Sequence, residues 1–283
     1  MSPSELLLEP LSSELDYKRA EKREKLIRLA NSVLQSPLYI KHFNILLKKL
    51  DLTHESIIKN FIDYNLDIYS PQGNDIYTSL ENRVVLHLHN LMKGSWHIER
   101  QKAILDFIEM IPVKKIADIG FGVPSLYINN ILTEKKEIEV ALCDLYPAAF
   151  EFAKTLLPLW NEDWQKQISF IKTDMDNNDF IGPFDLYIFQ DSIEHAIDPT
   201  YYLKKNVALS PQDSLFLFSL PIGPIFPRHH MAWETNEEAN AWLNKCGLTP
   251  IFYKNIYVNL EVDLFAEDLG SEFNNYVLLC KKH

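Results

Sequence analysis

The spacing of hydrophobic residues changes along the chain near Pro112. Before it, from Leu15 to about Leu66, apolar residues recur at every third or fourth position among many charged residues. This spacing is typical of amphipathic helices, which bury one face against another part of the protein. Thr53, followed by Glu55, marks the start of one of these helices. The first part of the chain is therefore predicted to be helical.

A second helical segment precedes the change in spacing. Residues 67–79 form a turn-rich connection that contains proline, glycine and asparagine. The helical pattern then resumes and is interrupted near Gly94, which predicts either one broken helix or two. We therefore expect a helical cap or lid at 1–108, which could instead form the contact surface of a homodimer, and a second domain at 109–283.

Short apolar runs alternate with helical patterns after Pro112. The strand candidates are KIADI, IEVALCDL, ISFIKTD, DLYIFQ and SLFLFSLP, and the helix candidates between them are 125–132, 148–157 and 200–207. Strands that are apolar on both faces and alternate with helices are typical of a parallel sheet covered on both sides. Two further strand candidates, PIFYKNIYV and NNYVLLCKK, have no helix clearly written between them, as in an antiparallel hairpin.

These elements predict an α/β fold. It would be a doubly wound, seven-stranded, Rossmann-like sheet with a C-terminal antiparallel hairpin, preceded by the N-terminal helical cap. Phe216 and Phe218 lie two apart on the fifth strand, and Phe252 lies in the sixth. Because side chains two apart point to the same face of a strand, we expect these three rings in the core of the sheet.

Composition and charge narrow the classes of function. The chain has 47% hydrophobic and 24% charged residues, which is ordinary for a soluble globular protein. A formal net charge of −11 argues against nucleic acid as a partner, because phosphate binding needs a basic face. The N-terminus lacks a signal pattern and no segment is apolar enough to span a bilayer, so a cytoplasmic protein without a membrane partner is expected. The three cysteines lack metal-ligand spacing and are expected to be buried thiols.

Two glycines stand at alternate positions in the stretch IADIGFGVPS. Gly120 and Gly122 directly follow the first predicted strand, in a chain with only eight glycines. Glycine is required where the backbone adopts a conformation barred to other residues, or where another molecule approaches the main chain closely. In a doubly wound sheet, ligands bind outside the carboxyl ends of the strands, at the point where the strand order reverses. The two glycines are therefore expected to lie beside a ligand.

Acidic residues follow the next strands in order. Asp144 closes the second strand, Asp174 follows the third, and Asp191 and Glu194 follow the fourth. An acid at the end of the second strand can accept hydrogen bonds from both hydroxyls of a ribose. An acid after the third strand can reach the exocyclic amine of an adenine. The ligand indicated is an adenosine derivative.

At these positions the sequence resembles the class I S-adenosylmethionine-dependent methyltransferases. IADIGFGVPS is similar to the first motif of that family, and Asp144 and Asp174 are similar to its ribose-side and adenine-side acids. The region FDLYIFQDSIEHAIDPTYYLKKNVALSPQDSLFLFSLP resembles the family's fourth and fifth strands, and the resemblance runs from about Val113 to the C-terminus. One departure is Pro124, which stands where the family commonly has a third glycine, and another is the bulky Phe121.

The resemblance implies a cofactor, S-adenosylmethionine, and transfer of its methyl group to a nitrogen or oxygen nucleophile of a small molecule. The residues implied in cofactor binding are Asp118, Gly120, Gly122, Asp144, Leu145, Asp174, Met175 and Gln190. The protein would orient the nucleophile and manage its proton, because the cofactor already carries an activated methyl group.

Histidines near the strand ends are candidates for a general base, since imidazole titrates near neutral pH. In order of preference these are His229, His230 and His195, although His195 could instead fix the geometry of its loop. Adjacent histidines point in different directions, so no metal site is expected at His229 and His230. Candidate contacts to the acceptor are Tyr77, Trp96, His97, Arg100 and Arg228, while His87 and His89 are interpreted as structural.

Two other classes of function stay open. A nicotinamide-dependent oxidoreductase would use a similar glycine loop, but that fingerprint places a third glycine where this chain has Ser125. A non-catalytic cofactor-binding protein of the same fold is the other alternative, and Pro124 mildly favours it.

Overall fold

The structure, a computed structural model, describes residues 20–21, 23–25, 27–28, 37–67, 77–92, 94–177, 179–223, 225, 229–257 and 274–283. In the first part of the chain, the described residues include four helices with defined bounds: α1, Pro37–Lys49; α2, His54–Asp67; α3, Leu80–Met92; and α4, Gly94–Glu109. The interrupted pattern near Gly94 is thus two helices. Thr53 begins α2 as expected, because its side-chain oxygen accepts a hydrogen bond from the Ser56 backbone N–H at 3.1 Å.

The second part of the chain alternates strands and helices. Its elements are β1, Lys115–Ile119; α5, Leu126–Glu134; β2, Glu139–Asp144; α6, Pro147–Trp160; β3, Ile168–Lys172; β4, Leu186–Gln190; α7, Pro199–Leu209; β5, Leu215–Ile222; α8, Asn236–Lys245; β6, Leu248–Tyr257; and β7, Asn274–Lys282. Short 3₁₀ turns lie at Trp164–Lys166 and Ile193–His195. Each predicted strand is present, with its ends shifted by at most a few residues.

The strands form one seven-stranded sheet in the order β3-β2-β1-β4-β5-β7-β6. Strands β1 to β5 pair in parallel, and β7 pairs antiparallel with both β5 and β6. This topology confirms the predicted doubly wound sheet with its C-terminal antiparallel hairpin. The strand order reverses between β1 and β4, which places the switch point beside Ile119 and the loop that follows it.

Apolar side chains cover both faces of the sheet. One cluster includes Ile104 of α4 together with Ile131 and Leu142, so α4 packs directly into the core of the sheet. The opposite cluster includes Phe216 and Phe218, as predicted from their spacing. Phe252 departs from its prediction, because its side chain is 42% exposed on β6, the edge strand that has a neighbour on one side only.

The N-terminal helices pack against α6 through a third apolar cluster. Phe61 of α2 and Leu88 of α3 meet Phe152 and Leu156 of α6 there, and Val123 joins them from the glycine loop. This packing fixes the inward face of α3 beside the switch point. It is the structural basis for the buried contacts of α3 described below.

Cys143, Cys246 and Cys280 are all buried and unpaired, which confirms their prediction as buried thiols. Among the helices that the structure describes, none combines the length and the hydropathy needed to cross a bilayer.

Candidate active site

The two glycines after β1 require the backbone conformation that only glycine adopts freely. Gly120 has φ +71° and Gly122 has φ +61°, both in the left-handed region. The Gly120 backbone N–H donates to the carbonyl oxygen of Cys143 at 2.8 Å, which holds the turn against the end of β2. The loop therefore crosses the carboxyl ends of β1 and β2, where the topology places a ligand.

The glycines differ in what surrounds them. A side-chain carbon at Gly120 would lie 2.6 Å from Cβ of Ser192, so packing within the protein alone excludes a methyl group there. At Gly122 the nearest atoms would lie at 3.5 Å, on Arg83 and Leu86, which is ordinary contact. Gly122 is therefore the position at which close approach of a ligand can be tested separately from internal packing.

Asp144 ties the end of β2 to the glycine loop. Its Oδ2 accepts a hydrogen bond from the Gly122 N–H at 3.1 Å, and its Oδ1 accepts one from the Tyr146 N–H at 2.9 Å. Burial raises the pKa of this carboxyl, and the charge of Arg83 and the backbone donors oppose that rise. Asp144 thus joins the loop after β1 to the loop after β2.

Arg83 of α3 is a residue of this site that the sequence interpretation missed. Its guanidinium is fully buried and donates to the Tyr77 carbonyl oxygen at 2.8 and 3.1 Å and to the Gly122 carbonyl oxygen at 2.9 Å. It also approaches Asp144 Oδ1 at 3.4 Å. The sequence pattern alone does not separate Arg83 from a surface arginine, since it lies between Leu80 and His87 on a helix face that mixes apolar and polar residues.

The other residues implied in cofactor binding lie around the same edge. Asp174 and Met175 follow β3 and are partly exposed, and the sulfur-bearing end of Met175 lies near Gly120. Leu145 is partly exposed in the loop after β2. Gln190, at the end of β4, donates to Ser125 Oγ at 2.7 Å and accepts a hydrogen bond from the side chain of Gln101. The structure therefore gathers this set at one edge of the sheet.

Asp118 lies below this edge, within β1. Its side chain is 1% exposed, and Oδ2 accepts a hydrogen bond from the Tyr127 hydroxyl at 2.5 Å. Burial raises the pKa of Asp118 to about 7, the Tyr127 hydrogen bond opposes this, and the negative charge of Asp144 adds to it. Near neutral pH this carboxyl is therefore close to its own titration midpoint.

A second polar group lies at the ends of β4 and β5. Asp191 has φ +47°, and its carboxylate accepts hydrogen bonds from Ser219 at 2.9 Å and Asn275 at 3.0 Å. Its other oxygen pairs with the buried guanidinium of Arg100, which also contacts His97 Nδ1 at 2.9 Å. Of the two candidate acceptor contacts here, Arg100 pairs with Asp191 and His97 contacts Arg100, and both are nearly inaccessible to solvent.

Histidines from two loops meet beside this group. The rings of His195 and His229 are 4.7 Å apart between centroids and nearly perpendicular, and the Tyr77 ring lies 6.1 Å from that of His195. Tyr77 also stacks on Tyr146 at 6.2 Å, so it joins the histidines to the loop after Asp144. Burial, together with His195, lowers the pKa of His229 to about 3, which keeps its imidazole neutral.

The remaining candidates lie at other positions. His230 is exposed at the surface. His87 is partly buried, its ring lies 5.5 Å from that of Phe152, and burial lowers its pKa to about 4, in agreement with a structural role. Trp96 lies in α4 and His89 in α3, but the structure does not describe their side chains. Arg228 lies outside the described residues.

Comparison with solved structures gives this architecture a family context. The StiE O-MT shares 12% identity at a TM-score of 0.50, covering 66% of this chain and 74% of that one. The mitomycin 7-O-methyltransferase MmcR shares 14% identity at a TM-score of 0.51, covering 100% of this chain and 76% of that one. This chain has the class I methyltransferase fold.

A protein named for a different activity shares the methyltransferase fold. The 4+2 cyclase SpnF matches with a TM-score of 0.53 at 8% identity, over 80% of this chain and 93% of its own. No family model matches the sequence, and no curated protein matches it either. The methyltransferase fold is therefore established by the sheet and these likenesses, while the reaction has to be argued from the site itself.

Proposed function

We propose that the protein binds S-adenosylmethionine and transfers its methyl group to a nitrogen or oxygen nucleophile of a small molecule. The observation that carries the proposal is the Gly122 N–H bonded to Asp144 at the reversal of strand order. A left-handed glycine allows the cofactor to approach the main chain, and the acid beside it accepts ribose hydroxyls. Asp174 at the end of β3 would accept the exocyclic amine of the adenine.

A small acceptor fits this molecule better than a nucleic acid. The net charge of −11 repels phosphate backbones. The cap helices pack against α6 and the glycine loop, which leaves the acceptor to bind beneath them instead of along an open basic face. The neighbours named as an O-MT and as a mitomycin 7-O-methyltransferase support oxygen as the accepting atom.

The residues of this protein would bind the cofactor, orient the acceptor and remove its proton. When bound, the cofactor supplies a sulfonium-activated methyl group. Asp144 would hold the ribose, and Tyr77 would separate the cofactor loop from the histidines, since its ring contacts both Tyr146 and His195. His229 is neutral at physiological pH and can accept a proton from the acceptor. His230, exposed at the surface, is the weaker candidate for this step.

Calorimetric titration with S-adenosylhomocysteine tests the cofactor proposal. Gly122→Ala is expected to weaken binding at least about tenfold, because alanine at φ +61° is strained and would distort the loop that the cofactor is proposed to contact. The matched control is Gly247→Ala, which has φ +90° and lies beside Val207, far along the chain from the strand-end loops. The control should lose comparable stability and keep its affinity.

Other outcomes of this titration discriminate the alternatives. Equal affinity of the wild type and Gly122→Ala would refute the glycine-loop proposal. Binding of reduced nicotinamide cofactor, seen by its fluorescence, in place of S-adenosylhomocysteine would favour the oxidoreductase. Transfer of labelled methyl from S-adenosylmethionine to a metabolite extract then separates a methyltransferase from a cyclase or a non-catalytic protein of the same fold.

The histidine pair should be required for turnover. Replacing His195 or His229 with glutamine is expected to lower the methyl transfer rate at least about a hundredfold for one of the two, within the range of a general base. Affinity for S-adenosylhomocysteine and the melting temperature should change little. His54→Gln, on the exposed start of α2, is the control. Full activity in both variants would exclude the pair from catalysis.

A further inference from the structure

Three potential metal ligands converge beside the strand ends of β4 and β5. One ligand atom each of Glu194, His195 and His229 lies within 4.8 Å of the other two. The sequence interpretation considered the neighbours His229 and His230 and expected no metal there. The fold instead pairs His229 with a histidine from a different loop.

Glu194 is the unusual member of this group. Its side chain is fully buried, and neither carboxylate oxygen has a hydrogen-bond partner in the part of the chain that the structure describes. Leaving a buried polar group unpartnered costs several kcal/mol if it is charged, and natural proteins satisfy such groups with a hydrogen bond, an ion pair or a metal. A cation bound beside Glu194 would give its side chain the partner that the described residues do not provide.

The three residues are held in place by the backbone. Glu194 and His195 share the 3₁₀ turn Ile193–His195, and the His230 N–H donates to the Glu194 carbonyl oxygen at 2.8 Å. That bond holds the segment after β5 against the 3₁₀ turn, so His229 lies next to His195. The perpendicular rings of His195 and His229 allow nitrogens from both to face a common point.

We propose that Glu194, His195 and His229 bind one divalent first-row transition-metal ion. Two imidazole nitrogens and one carboxylate are a ligand set that such ions favour, whereas Mg²⁺ and Ca²⁺ favour oxygen ligands throughout. Ligand bonds of about 2.1 Å place donor atoms about 3.4 Å apart in a tetrahedral site. The donor atoms, which lie at most 4.8 Å apart, must therefore approach one another by no more than about 1.4 Å, a shift that side-chain rotation can supply. Because the described residues supply three ligands, coordination positions remain open for other molecules.

The open positions suggest what the ion does. If the proposed methyl transfer holds, the bound ion would replace His229 in promoting loss of the acceptor's proton, because a divalent cation stabilises the anion and an imidazole nitrogen bound to a metal cannot accept a proton. This second step rests on the proposed function, but the metal site itself does not. Metal binding can therefore be measured without cofactor or acceptor.

The experiment is a titration of the metal-free full-length protein with Co²⁺. Its visible absorption reports coordination by nitrogen and oxygen, and calorimetry gives the stoichiometry. We expect one bound ion per chain, with affinity at least about tenfold lower in His229→Gln and in Glu194→Gln, because each removes one of three ligands. The matched control is His230→Gln, which changes the neighbouring imidazole at the exposed surface and should keep the wild-type affinity.

Three results would overturn the proposal. They are no Co²⁺ binding by the wild type, equal affinity in the wild type and His229→Gln, or an equal loss in His230→Gln. Glu194→Gln is buried and could lower stability, so its melting temperature is measured without metal, while His229→Gln carries the test if Glu194→Gln does not fold. If the wild-type protein binds Co²⁺ but does not bind S-adenosylhomocysteine, the proposed function is refuted and the proposed metal site is not.

Discussion

Replacing Arg83 with methionine is expected to lower the free energy of unfolding by about 3 to 5 kcal/mol. The change removes the buried cation facing Asp144 and leaves the carbonyl oxygens of Tyr77 and Gly122 without their donors. An unpaired buried carboxylate is far more costly than a buried pair, because nothing compensates its lost hydration. Urea denaturation of the protein without cofactor measures the effect.

Two further variants separate this mechanism from a general loss of packing. Arg28→Met removes the cation of an exposed ion pair with Glu24, and it should change stability by no more than about 0.5 kcal/mol. Adding Asp144→Asn to Arg83→Met should restore about 1 kcal/mol or more, since the amide needs no counter-ion. If the double variant is as unstable as the sum of the single ones, the charge pair does not couple the two residues.

Asp118→Asn should make the protein less sensitive to pH between about 4 and 8. Burial raises the pKa of Asp118 from 3.8 to about 7, so over this range the folded protein holds a proton that the unfolded chain releases. Stability from this group is therefore full below pH 4 and is lost as the pH rises to 7. At pH 8 the free energy of unfolding is lower by about 4 kcal/mol than it would be with Asp118 protonated in both states. A neutral asparagine does not titrate and would avoid this decrease.

The comparison is made by urea denaturation at pH 5 and pH 8. The gain of Asp118→Asn over the wild type should be larger at pH 8 than at pH 5. Asp163→Asn is the control, because it changes an exposed carboxylate and should shift stability by no more than about 0.5 kcal/mol at either pH. An equal effect of Asp118→Asn at both pH values would show that this carboxyl does not titrate between them.

The sheet could be predicted because each strand corresponds to a short apolar run in the sequence. KIADI and NNYVLLCKK are apolar runs whose bounds match β1 and β7 residue for residue. Phe252 shows where a local pattern is insufficient. An aromatic residue in a strand favours burial, yet only the strand order reveals that β6 is an edge, and strand order depends on contacts between distant segments.

The residues of the site that could be predicted from the sequence are those that directly follow a strand. Gly120, Gly122 and Asp144 each follow a strand directly, so the rule for parallel sheets places them together. Arg83 was missed because a single arginine on an amphipathic helix usually lies at the surface, and only the packing of α3 on α6 turns it inward. The pairing of His195 with His229 was missed for a related reason, since it depends on how two separate loops meet.

Salt should have little influence on how these loops are held. In the Arg83–Asp144 pair the side chains are 0% and 7% exposed, and Arg100 in its pair with Asp191 is 3% exposed. Dissolved ions screen charges that water surrounds, with a Debye length of about 8 Å at physiological ionic strength, and screen buried pairs much less. The strand-end loops should therefore keep their arrangement at ionic strengths that weaken exposed pairs such as Lys166–Asp163.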